Sequence, residues 1–123
     1  MDLSKLREKD QTPVREVVEY LNLRGLEVEL KGSALRGDRQ YEDVDLLATG
    51  LAVLVKDARN DLVTGTPLGD GYEVEYVGGP ECYVNEQIDD RFRIQAGETK
   101  IDLSLKRLKR EKCYDILEPL DSR

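Results

Sequence analysis

Asp43-Val44-Asp45 sets two carboxylates one residue apart, and Gly32-Ser33 stands upstream where the alternation of Leu26, Val28 and Leu30 stops. On a strand, side chains alternate between faces. Asp43 and Asp45 then share a face, about 6.5–7 Å apart along the chain, while Val44 points into the core. Two such carboxylates can converge on a cation, and a site for two ions about 3.5–4 Å apart needs bridging carboxylates and a third acid. In Lys100-Ile-Asp-Leu-Ser-Leu105, Ile101, Leu103 and Leu105 take one face and leave Asp102 with Ser104 on the other. Should that strand lie beside 43–48, three carboxylates face one cleft. Gly32 lets the backbone approach a phosphate closely, and the amides after it, with the Ser33 hydroxyl, can donate to phosphate oxygens. Arg36, one turn on, adds a charge-assisted contact.

Each piece alone has a plainer meaning. Gly32-Ser33 alone is a tight turn, and Asp43-Val44-Asp45 alone is a solvent-facing strand. Glu73-Val74-Glu75 repeats the acidic spacing without a Gly-Ser partner, and reads as a solvated face opposite Tyr72, Val74 and Tyr76. Asp89 and Asp90 compete for the place of third acid but lie in a stretch without periodicity, so Asp102 is preferred. The conjunction of turn, arginine, spacing and later acid carries the functional reading.

That conjunction, "LKGSALRGDRQYEDVDLL" followed by "KIDLSL", resembles the signature of the DNA polymerase beta-like nucleotidyltransferase superfamily, and "GSALRG" is similar to its minimal nucleotidyltransferase type. The resemblance implies a nucleotidyltransferase fold in which Gly32, Ser33 and Arg36 bind the triphosphate of ATP. It also implies two Mg²⁺ ions held by the catalytic Asp43, Asp45 and Asp102, and transfer of AMP to a hydroxyl acceptor with loss of pyrophosphate. Larger members append a helical domain that selects the acceptor. Here no separate substrate-binding domain is expected: it is either absent or supplied by a protein partner, the alternative being an antitoxin-like subunit that binds nucleotide with weak or no turnover.

The elements that must position these residues follow from pattern. Thr12-Pro13 reads as a cap and first position of a helix, with Val14, Val17, Val18 and Leu21 on one stripe. Leu26–Leu30 and 43–48 read as strands, 51–63 as a helix ending near Gly65, and 72–77 as a third strand. Residues 91–95 and 99–105 form a hairpin, Cys82–Asp90 has no clear pattern, and Lys106–Leu117 reads as a final helix. This order predicts one α+β domain over 1–123, a mixed sheet with helices mainly on one face.

Composition sets the outer limits. The chain has 123 residues, no histidine and a net charge of −7. Zinc sites of the Cys/His kinds and histidine-based acid–base or nucleophilic catalysis are excluded. The acidic field disfavours a long polyanion and favours cations, so a nucleic-acid acceptor is the weaker expectation. Cys82 and Cys113 have no CxxC spacing and read as buried small hydrophobes or free thiols. The charged start MDLSKLREKDQTP is no signal peptide, and no run reaches membrane-spanning length. The expectation is a cytoplasmic protein without a membrane partner. The basic cluster 106–112 reads as a solvated helix face, with an acceptor patch as the alternative.

Overall fold

In a computed structural model, residues 1–37, 40–64, 67–83 and 86–108 are described. The fold is α+β. Helix α1 (Glu8–Leu23) leads to β1 (Glu27–Lys31), the single turn α2 (Gly32–Leu35), β2 (Val44–Gly50) and α3 (Ala52–Thr64). Strands β3 (Tyr72–Gly78), β4 (Glu81–Tyr83), β5 (Glu86–Ile88), β6 (Asp90–Ala96) and β7 (Thr99–Arg107) follow. Five strands form one mixed sheet in the order β1-β2-β7-β6-β3, and β4 and β5 make a separate two-stranded ribbon. All neighbouring pairs are antiparallel except β2 and β7, which run parallel.

Strand alternation sorts the side chains. Leu30, Val44, Leu46, Ala48, Phe92, Ile94, Ile101, Leu103 and Leu105 point to one face and pack with Val14, Val17, Val18 and Leu21 of α1 and Val55, Ala58 and Leu62 of α3. The helices therefore cover that face. The other face carries Lys31, Asp45, Asp102, Arg93 and Glu75, which the strand register sets in one row across the sheet. Leu47 and Ile88 are buried yet stand apart from the main core.

Three details differ from the pattern reading. Helix α1 begins at Glu8, so Pro13 lies inside it instead of opening it. A proline there has no N–H for the carbonyl of Lys9, four residues back. The Thr99 hydroxyl of β7 lies 3.3 Å from that oxygen, its single proton shared with the closer Asp10 Oδ1 at 2.7 Å. The stretch without clear pattern contains the β4–β5 ribbon, whose three-residue strands are too short to show a period. Lys106 and Arg107 continue β7 instead of starting a helix. Cys82 is an exposed free thiol, the second of the two readings offered for it. Gly65, Cys113 and the remainder of the expected tail helix lie outside the described residues. Among the described residues, no helix is long and apolar enough to cross a membrane.

The two faces should respond very differently to truncation. Phe92 is fully buried and Glu73 is exposed on the opposite face. Phe92→Ala is expected to cost about 3–5 kcal/mol in urea unfolding, and Glu73→Ala within about 0.5 kcal/mol. Equal losses would contradict this assignment of faces.

Candidate functional site

The parallel register sets Asp45 directly beside Asp102. Asp43 precedes β2 by one residue, half-buried, and its charge acts on the Asp102 carboxyl. Burial first, and the Asp43 charge next, push the Asp102 carboxyl above the usual carboxylate range; Arg91 and Arg93 oppose that rise. Arg91 Nη2 stands 3.8 Å from Asp102 Oδ2, and Arg93 Nε stands 3.7 Å from Oδ1. Arg91 also donates to Glu81 Oε1 at 3.2 Å, tying the β4–β5 ribbon to the same spot.

Asp45 leans the other way. Its Oδ2 lies so close to Gly32 that a β-carbon there would overlap it, and Gly32 has φ +71°. A left-handed backbone and an adjacent carboxylate both require the missing side chain. The turn after Gly32 is short: Arg36 N–H donates to Ser33 O at 3.1 Å and Gly37 N–H to Ala34 O at 3.1 Å. Ser33 is half-buried, and Arg36 is exposed at the end of α2.

The sequence-derived residues thus form two neighbouring groups. Asp43 and Asp102 share one, Gly32 and Asp45 the other, and Ser33 continues the second. Among the described residues, no three acidic or thiol side chains stand close enough together to hold an ion as they are. The donor set nonetheless suits a hard cation. It is all carboxylate oxygen, as Mg²⁺ prefers, and the crowded Asp43–Asp102 pair is one whose repulsion a cation relieves.

The competing acids are committed elsewhere. Asp90 accepts from the Tyr76 hydroxyl at 2.8 Å and pairs with Arg59 at 3.3 Å. Asp89 pairs with Arg107 at 2.9 Å and accepts its backbone N–H at 2.8 Å. Glu73 and Glu75 are exposed, and Glu75 reaches Arg93 at 3.9 Å. Neither the cleft of about 400 Å³ bounded by Lys5, Leu30 and Leu35 nor the one of about 380 Å³ bounded by Lys56, Arg59 and Asp89 includes the three carboxylates. They lie on the sheet face opposite the helices, where Asp102 is itself buried.

Arg91 and Arg93 were missed by pattern, where they read only as the polar alternates of Phe92 and Ile94. The signal was the hairpin itself, since antiparallel pairing of 91–95 with 99–105 sets arginines across from Asp102 and Ser104. Comparison with models of known families, with curated proteins and with solved structures yields no match.

Two outcomes follow. Gly32→Ala combines a left-handed alanine, about 1–2 kcal/mol, with displacement of Asp45, and is expected to destabilise the protein by at least that much in chemical denaturation. The fold raises the Asp102 carboxyl above its ordinary value, through burial first and the Asp43 charge next. Its contribution is therefore complete below the unfolded carboxyl value and is lost as pH rises through the folded one. In the presence of chelator, Asp102→Asn is expected to gain stability relative to the parent as pH climbs from about 4 to about 7. A pH-independent difference between the two would contradict that.

Proposed function

We propose that this protein is a Mg²⁺-dependent nucleotidyltransferase moving AMP from ATP onto a hydroxyl acceptor, with release of pyrophosphate. The observation that carries the reading is the pairing of Asp45 with Asp102 across the parallel strands, with Asp43 on Asp102 and the Gly-Ser turn under Asp45. Metal held by Asp43, Asp45 and Asp102 would offset the triphosphate charge and polarise the α-phosphorus. The chain's own groups do the rest. Ser33 Oγ and the amides after Gly32 donate to the phosphate oxygens, and Arg36 adds a charged grip. The acceptor oxygen bonds to the α-phosphorus as the bond to the β-phosphate oxygen breaks, and pyrophosphate leaves with that electron pair. An Asp102 carboxylate oxygen takes the acceptor's proton. Such catalysis is positioning and electrostatics above all.

A second reading has its own observation. Arg91 and Arg93 already offset part of the Asp102 charge, which lessens the pull on a cation. This favours a nucleotide-binding partner or antitoxin-like subunit with weak or no turnover, whose companion protein supplies the acceptor.

Calorimetric titration of ATP with and without Mg²⁺ tests both. The parent is expected to bind ATP in a metal-dependent way, and Asp43→Asn/Asp45→Asn to lose at least about tenfold in affinity, roughly 1.4 kcal/mol. Absence of any metal-dependent binding would refute the transferase. Binding without label transfer from α-labelled ATP to any acceptor in lysate would favour the second reading.

A further inference from the structure

Asp10 is an acid in a heavily charged segment, Arg7-Glu-Lys-Asp10, yet it is only 1 % exposed. Each of its oxygens is engaged. Oδ1 accepts from the Thr99 hydroxyl at 2.7 Å. Oδ2 accepts from the Tyr41 hydroxyl and from Arg7 Nε at 3.2 Å. Arg7 closes the circle: its backbone N–H donates to Tyr41 Oη at 2.9 Å, Nη2 donates to Tyr41 O at 3.0 Å, and its guanidinium stacks 4.1 Å above the Tyr41 ring. Burial opposes the charge of Asp10, but hydrogen bonds from Tyr41, Thr99 and Arg7 outweigh it and hold the carboxyl below its usual range.

The partners of Asp10 are not scattered. Tyr41 stands two residues before Asp43, and Thr99 opens β7 three residues before Asp102. Nothing in the sheet itself pairs residue 41 with residue 99, because β2 starts only at Val44. One carboxylate from α1 therefore grips the chain just ahead of β2 and at the first residue of β7. An ionised side chain fully enclosed by donors is costly to leave half-satisfied, so the grip is stiff.

We propose that Asp10 is a positioning residue for the candidate site, fixing the segment before β2 against the start of β7 and with it the separation of Asp43 from Asp102. This rests on the nucleotidyl-transfer reading for its functional consequence, but its structural part stands on the hydrogen bonds alone. Groups that orient a metal's ligands typically change metal affinity 10–100-fold when removed. A residue that only stabilises the fold lowers the melting temperature and leaves that affinity alone.

The test uses the whole chain with Asp10→Asn, which keeps size but cannot accept from Tyr41 and Arg7 as a carboxylate does, and Tyr41→Phe as the milder variant. Two readouts are needed at a temperature where circular dichroism shows both variants folded. The first, without ligand, is amide hydrogen exchange at 41–45 and 99–102, set against exchange in β3. The second is Mn²⁺ affinity, with Mn²⁺ alone as the probe. Selective loss of protection in those two segments, with Mn²⁺ affinity down roughly tenfold or more, supports the proposal. Unchanged or uniformly reduced protection overturns it whatever the metal does, and so does selective loss with parent-like Mn²⁺ affinity. If the parent takes up no Mn²⁺, the nucleotidyl-transfer reading fails, and the exchange data alone decide whether Asp10 holds the two segments. If Asp10→Asn does not fold, Tyr41→Phe is judged by the same criteria.

Discussion

Two parallel strands cannot be joined by a tight turn, so the chain must travel away from the sheet and return before they can lie side by side. Between β2 and β7 it makes α3, β3, the β4–β5 ribbon and β6. All of that intervening structure serves, in effect, to return the chain to β2 in the right register. A one-residue slip would turn Asp102 into the core and Ile101 out to solvent. With Ile101, Leu103 and Leu105 fully buried, hydrophobic burial on one face holds the polar arrangement on the other. The candidate site is thus specified by apolar residues that never touch it.

The electrostatics follow from the same register. Across the face opposite the helices, Lys31, Asp45, Asp102, Arg93 and Glu75 stand in one row, with the two like charges adjacent in it. Like charges directly opposite one another destabilise a sheet. Arg91 and Arg93 oppose the rise of the Asp102 carboxyl without cancelling it, a rise that comes from burial first and from the Asp43 charge next. Sites that bind charge often store such strain, and here it lies beside the turn that leaves room for Asp45.

Much of this was legible in the sequence because alternation is a strong signal where one face is buried. Val44 between two aspartates and Ile101 and Leu103 around a third assign faces without any structure. The Gly-Ser turn was legible as a break after an alternating run. Asp10 was not, because an acid among charged neighbours looks solvated until Tyr41, Arg7 and Thr99 gather around it from distant parts of the chain. The start of α1 was misplaced for a related reason: proline in a first turn is a good local signal, and the hydroxyl that stands near the orphaned carbonyl comes from β7. The β4–β5 ribbon is too brief to have a period. What pattern could not supply, in every case, was a partner remote in sequence.

The proline has a consequence for how the chain can vary. Pro13 leaves the Lys9 carbonyl without its helical donor, and Thr99 stands 3.3 Å from that oxygen. The two positions are thereby coupled although they lie in different elements. With an ordinary residue at 13, the carbonyl has its own N–H, and the hydroxyl at 99 is answerable only to Asp10. With proline there, the same hydroxyl serves both oxygens. Substitutions at 13 and 99 should therefore be non-additive, and in sequence drift the two sites are expected to change together.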